Sequence, residues 1–300
     1  MDAQGPPIEW VLWLNSDLGV PGRDRSGKTA MGKVRVSTGI EIFYERTGSG
    51  PTLLLIMGTG LDHSCWNAQL EAYRDDYDCI VFDNRGTGKT SASDALLTTS
   101  SMADDAAALL DVLGVSRAHV SGLSLGSCIA QELAIRRPEL VETLQLHGTW
   151  ASAHGYAARK FQAQIQLLES LDLRAFYEIN VLWFITPRWM AEHPDRVARQ
   201  IENIVAAAPA VELLKQQYLA DLHHDTLDRL HQIQVPTLVT VGSFDVALPP
   251  MYSREVANRI ADAELVIFEE GGHLHNIEQP DEFNQVTLEF LSRHTVRDQG

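Results

Sequence analysis

Cysteine is scarce in this 300-residue chain, with only Cys65, Cys79 and Cys128. No two of them have Cys-x-x-Cys spacing, so neither a disulfide framework nor a structural zinc site is indicated. Positive charge is also short: 24 Lys and Arg face 40 Asp and Glu, a formal net charge of −16. Nucleic acids and anionic membranes are bound by clustered cations, so neither is an expected partner. No stretch approaches the roughly 18 apolar residues of a membrane span. There is no Asn-x-Ser/Thr acceptor site, and the apolar run Ile8 to Leu14 follows no basic segment, so no signal peptide is expected and a cytoplasmic location is. No pattern calls for a metal or a cofactor. What is present is 45% apolar residues, enough for a large core, in the composition of an acidic globular enzyme.

The element pattern divides the chain. Residues 1–30 are broken by Pro6-Pro7, Pro21-Gly22 and Gly27 and read as a loosely ordered extension. From Met31 on, Val34 and Val36, then Ile40, Ile42 and Tyr44, alternate with polar residues across Thr38-Gly39, which predicts a hairpin. Thr52 to Met57 and Asp78 to Asp83 are continuous apolar runs of the kind found in strands buried on both faces. Helices are expected over Ser64 to Arg74 and over Ser101 to Leu113, the latter with Ser101 and Asp104 at capping-box spacing. A strand at Ala118 to Val120, a helix at Ser127 to Arg137 and a strand at Val141 to Leu146 follow. From about Trp150 to Leu230 only helical spacing is visible, and strand–helix alternation resumes at Thr237. The expectation is an α/β protein with a mostly parallel sheet flanked by helices, its core formed by residues 31–149 and 233–300, interrupted by an all-helical cap over 150–232. The cap belongs above the carboxyl ends of the strands, where such sheets bind ligands.

Gly88-Lys89-Thr90 has the look of a phosphate loop, but the position five residues earlier is Asp83 where that loop needs glycine. Gly122-Leu123-Ser124-Leu125-Gly126 is more informative. A serine on a strand-to-helix turn sits in strained backbone, its neighbours must be small, and the next amide, that of Leu125, points toward a developing oxyanion. Serine needs a base, and the base needs a group that fixes its tautomer. Gly242-Ser243-Phe244-Asp245 follows the Thr237–Val241 strand, and Gly271-Gly272-His273 follows Leu265–Phe268. Ser124, Asp245 and His273 thus lie just past three strands, in the triad order of the α/β-hydrolases. His63, His147 and His275 compete with His273 on composition alone; His147, at the end of the sixth strand, is placed in the substrate pocket.

With these motifs in hand, the chain resembles the α/β-hydrolase fold family, in its serine-nucleophile, esterase-like branch, over about residues 32–295. The shared stretches are Met57-Gly58-Thr59-Gly60, Asp83 to Gly88, the 122–126 elbow and the Asp245 and His273 loops. The resemblance implies that Ser124 attacks, His273 carries the proton and Asp245 orients His273, with the amides of Thr59 and Leu125 as oxyanion hole. Many members have His-Gly where this chain has Met57-Gly58. A serine at the elbow, where relatives with an alkyl-ester intermediate carry aspartate, implies an acyl-enzyme and a small-to-medium carboxylic ester as substrate. An enol-lactonase, or a carbon–carbon bond hydrolase of aromatic ring-fission products, would use the same triad; a diacid substrate would call for a cap arginine such as Arg188. A ligand receptor on the same fold is the non-enzymatic alternative. Trp150, Trp183 and Phe184 are the expected apolar lining of the pocket.

Overall fold

The computed structural model describes residues 30–92 and 96–295. The extension expected over 1–30 therefore lies, apart from Ala30, outside the described residues. Eight strands form one sheet: β1 (Ala30–Arg35), β2 (Glu41–Gly48), β3 (Thr52–Ile56), β4 (Asp78–Phe82), β5 (Ala118–Leu123), β6 (Val141–His147), β7 (Thr237–Gly242) and β8 (Glu264–Phe268). Their spatial order is β1-β2-β4-β3-β5-β6-β7-β8. The β1–β2 and β2–β4 pairs are antiparallel, and every pair from β4–β3 to β7–β8 is parallel.

The doubly apolar strands have the two-sided cover that parallel strands need. Leu54 and Ile56 of β3 pack on one face with α2 (Thr99–Val112) and α3 (Leu125–Arg136), through residues such as Leu109, Ile129 and Leu133. Leu53 and Leu55 face the opposite way, against α1 (Asn67–Tyr73) and the C-terminal helix, through Leu70, Tyr73 and Phe283. Each such side chain, wholly removed from water, contributes about 1.5–3 kcal/mol of transfer free energy before entropy is counted.

Boundaries shift by a few residues from the sequence reading, β5 running on to Leu123 and α3 opening at Leu125, and at two helix starts the local chemistry differs. The helix expected from Ser64 opens instead as a 3-10 turn over His63–Trp66, because Asp62 accepts from the Ser64 amide and caps the turn before α1 begins. The cap of α2 is Thr98 with Ser101 as its reciprocal partner, not Ser101 with Asp104. Between β6 and β7 lie five helices, α4 (Tyr156–Ser170), α5 (Leu173–Phe184), α6 (Pro187–Glu192), α7 (Pro194–Ala207) and α8 (Val211–His223). Much of their apolar surface forms a third cluster around Phe161, Leu168, Phe176, Leu214 and Tyr218. After β7 come α9 (Pro250–Ala257), α10 (His275–Glu278) and α11 (Pro280–His294). Among the described residues, no helix is long and apolar enough to cross a membrane.

Candidate active site

Ser124 joins β5 to α3 with φ 54° and ψ −123°, a left-handed conformation that side chains rarely adopt. Its neighbours explain how this is tolerated. A Cβ on Gly122 would lie 2.2 Å from the Gly126 carbonyl oxygen, and one on Gly126 would lie 2.1 Å from the Ile56 carbonyl oxygen. Only glycine permits β3, β5 and α3 to approach this closely. The Ser124 amide donates to the His147 carbonyl at 2.9 Å, tying the turn to β6. The Leu125 amide opens α3, at the end of a helix where N–H groups lack intrahelical partners.

Asp245 and His273 follow β7 and β8, and their loops meet. Asp245 Oδ2 accepts from His273 Nδ1 at 2.8 Å, while its Oδ1 accepts from the Leu248 amide at 2.7 Å. Both side chains are buried. His273 Nε2 is buried too, has no hydrogen-bond partner among the described residues, and belongs to a ring that lines one cavity together with Ser124. No hydrogen bond joins Ser124 to His273 here; such contacts are often long without substrate and tighten in the bound complex. Phe184 stacks on the imidazole, with ring centroids 5.3 Å apart and an interplanar angle of 28°.

The 57–60 loop lies directly against the elbow, since a Cβ on Gly58 would sit 3.0 Å from Ser124 Cβ. Three side chains hold it. Asn84 Nδ2 donates to the Met57 carbonyl at 2.7 Å, Gln217 Oε1 accepts from the Gly60 amide at 2.7 Å, and Asp221 Oδ2 accepts from Thr59 Oγ1 at 2.7 Å. Thr59 lines the cavity. From α4, α5 and α8 the cavity also receives Lys160, Phe161, Phe184, Tyr218 and Asp221. The space open to the centre of a water molecule is only about 20 Å³, room for about one water.

Of the expected pocket residues, Phe184 lines this cavity; His147, Trp150 and Trp183 do not. His147 points into the sheet's α11 face, packs on Phe283 and belongs to a buried hydrogen-bonded chain. His275 Nδ1 donates to the His273 carbonyl at 3.2 Å, and Thr240 bridges His275 Nε2 (2.8 Å) to His147 Nδ1 (2.7 Å). Ser121 Oγ meets His147 Nε2 at 2.9 Å. Burial pulls His275 down to about 4 and His147 well below its ordinary value, so both rings are neutral and this chain braces the His273 loop from beneath. Trp150 is wholly buried, its indole N–H donating to the Asp221 carbonyl, and Trp183 is half-buried on α5. Lys160 and Asp221 were not singled out in the sequence. Their signal was helical spacing: Lys160 falls on the buried stripe Ala157–Phe161–Gln164–Leu168 of α4, and Asp221 on the stripe Leu214–Gln217–Tyr218 of α8.

The Asp83 segment is closed by its own carboxylate, which accepts from the amides of His63 (3.0 Å) and Lys89 (2.8 Å). His63 is occupied at both nitrogens, by Asp83 Oδ1 at 2.6 Å and Glu45 Oε1 at 3.2 Å. Burial opposes its charge, but the hydrogen bonds to the two carboxylates outweigh that and raise its pKa to about 9. A raised pKa gives stability that is full below the unfolded value near 6.5 and is lost as pH rises through about 9. We expect His63→Asn to lower unfolding free energy by about 3 kcal/mol at pH 6, with the gap to wild type narrowing by pH 10 in denaturant titrations. A gap independent of pH would refute the charged assignment.

A family model described as the alpha/beta hydrolase family matches residues 53–286. The chain belongs to that family and is a hydrolase by fold and relationship. Among sequence relatives, a protein of Azorhizobium caulinodans provisionally named carbamate hydrolase RutD is 32% identical over 250 residues, spanning 83% of this chain and 94% of the relative. Among solved structures, a malate-bound thermophilic esterase from Thermogutta terrifontis is 28% identical with a TM-score of 0.79, covering 89% of this chain and all of that one. The enol-lactonase of Burkholderia xenovorans is 26% identical with a TM-score of 0.81, covering 87% and 100%.

Proposed function

We propose that this hydrolase cleaves small-to-medium carboxylic esters through an acyl-enzyme on Ser124. The observation that carries the reading is the His273 ring: Nδ1 is bound to Asp245, and Nε2 is unpartnered in the cavity that Ser124 lines. With its hydrogen on Nδ1, the ring presents a lone pair at Nε2. Ser124 Oγ attacks the ester carbonyl carbon as Nε2 takes the hydroxyl proton; the amides of Leu125 and Thr59 receive the oxyanion. The proton then passes from Nε2 to the leaving alcohol. Water, deprotonated by the same nitrogen, releases the acid and restores Ser124. Helices α4–α8, within residues 150–232, serve as the cap that closes this centre against bulk water.

Ring-opening of a lactone is a second reading, favoured by the enol-lactonase neighbour, and a carbamate, as in the name of the relatives, would present the same carbonyl carbon. A diacid held by Arg188 has no support, since that arginine is exposed and paired with Glu192 and Glu270. The test is covalent. A fluorophosphonate should label one residue per chain, and peptide mapping should place it on Ser124. Labelling elsewhere, or none, would overturn the acyl-enzyme reading.

A further inference from the structure

Lys160 is only 6% exposed, yet it reaches the cavity that holds Ser124 and His273. Its ammonium lies 4.0 Å from the Phe161 ring centroid and 5.7 Å from that of Phe184. Ring faces attract a cation but offer no lone pair. Among the described residues, Lys160 makes no hydrogen bond and no ion pair within 4 Å. Two carboxylates act on it, those of Asp221 and Asp245. Asp245 is committed to His273 and Leu248, and Asp221 Oδ2 accepts from Thr59, while its Oδ1 is buried and, among the described residues, without a partner. A largely buried lysine whose ammonium has no hydrogen-bond partner among the described residues, and a buried carboxyl oxygen left unpartnered, both beside a nucleophile, are costly to keep for packing alone. Apolar residues would fill the same space at less cost.

We propose that Lys160 is the anion anchor of the substrate pocket: it receives a carboxylate carried by the substrate, so that the ester cleaved is a half-ester or other ester of an acid bearing a second, free carboxylate. Asp221 would repel such a group if it stayed ionised. Burial raises its affinity for a proton, and once protonated its Oδ1 can donate to the incoming carboxylate, as buried carboxylic acids do in other enzymes. The pocket then offers two donors to the anion, and Thr59 remains tied to the far oxygen of Asp221. For turnover, the inference rests on the ester-hydrolase reading.

The experiment compares monoethyl succinate with ethyl 4-methylpentanoate, a neutral ester of the same shape, by acid release in a pH-stat. In wild type, kcat/KM should favour the half-ester. In Lys160→Met the ratio of the two values should fall on the order of 30-fold, as expected for a lost hydrogen bond to a charged group, chiefly through KM. Lys160→Arg should restore part of the ratio. A ratio unchanged within threefold in Lys160→Met, with both substrates falling in parallel, would overturn the proposal. A second arm needs no turnover: monoethyl succinate is titrated calorimetrically into Ser124→Ala and into Ser124→Ala with Lys160→Met. A Kd weakened on the order of 30-fold by loss of the lysine supports the anchor even if wild type hydrolyses neither ester, in which case only the ester reading fails. Equal binding by the two proteins, or no binding by either, refutes the anchor.

Discussion

Replacing Ser124 with alanine is expected to lower kcat for ester hydrolysis by about six orders of magnitude, and Asp245→Asn by about four. The difference between the two follows from the geometry. In the proposed mechanism Ser124 supplies the attacking atom, so its loss would remove the acyl-enzyme route altogether. In the same mechanism Asp245 does not touch the substrate; it would set which imidazole nitrogen carries hydrogen, through its bond to His273 Nδ1. Its carboxylate cannot turn, because Oδ1 is held by the Leu248 amide while Oδ2 faces His273 Nδ1. An asparagine in that frame either leaves Nδ1 poorly bound or points its amide N–H at Nδ1, which forces the ring hydrogen onto Nε2. A protonated Nε2 cannot take the Ser124 proton. Initial rates with p-nitrophenyl butyrate, read against buffer, measure both effects. If Asp245→Asn loses less than tenfold, another carboxylate orients the ring. Glu278 is the nearby alternative, and its two oxygens already accept from the amide and hydroxyl of Thr186. If Ser124→Ala retains wild-type turnover, the acyl-enzyme mechanism is wrong.

The elbow was legible because its causes are local. Glycine is required at 122 and 126 because a Cβ there would lie 2.1–2.2 Å from neighbouring backbone, and a pentapeptide records that requirement directly. The strand–helix rhythm was legible for a similar reason, since a strand covered on both faces must be apolar at every position. Side-chain direction at strand ends was not. His147 ends β6, where one residue of register decides between the pocket and the α11 face, and it turns toward Phe283. The tryptophans of the insertion show the same limit: the sequence marks Trp150, just past β6, and Trp183, on α5, as apolar without saying which surface they face. Lys160 and Asp221 were hidden by the opposite habit, that a charged residue on a helix is normally solvated. Both sit on helical stripes whose other members are buried, and only the docking of α4 and α8 over the elbow shows that two charges share one enclosed space.

That shared burial carries the second large effect, on stability. Lys160→Met is expected to make the protein more stable near neutral pH by a few kcal/mol, comparable to the ~1–4 kcal/mol gained when a whole buried ion pair gives way to apolar side chains. Burial pulls the Lys160 ammonium below its ordinary value of 10.5, against the attraction of Asp221 and Asp245. Desolvation therefore outweighs the neighbouring carboxylates, and the charged side chain is a net cost to the fold. Deleting one member of a buried pair is usually harmful because it strands the other charge. Here the stranded group can neutralise itself, since burial already lifts the Asp221 carboxyl well above 3.8 and loss of the cation lifts it further. A depressed lysine contributes stability that is present above the unfolded value of 10.5 and lost as pH falls through the folded one. The advantage of Lys160→Met should then be full at pH 7 and fade as pH approaches 10.5, where wild type no longer carries the charge in either state. Asp221→Asn has the complementary window: its raised carboxyl gives stability that is full below about 3.8 and lost as pH rises through the folded pKa, so that variant gains least near pH 4 and most at neutrality. Urea titrations of the three proteins at pH 4.5, 7 and 10 distinguish these profiles. A Lys160→Met protein less stable than wild type at pH 7 would mean that the ammonium has a protein partner and is not held open for a ligand. A more stable but less selective variant would instead mark Lys160 as a residue that costs the fold what it contributes to recognition, the expected trade at a site built for binding.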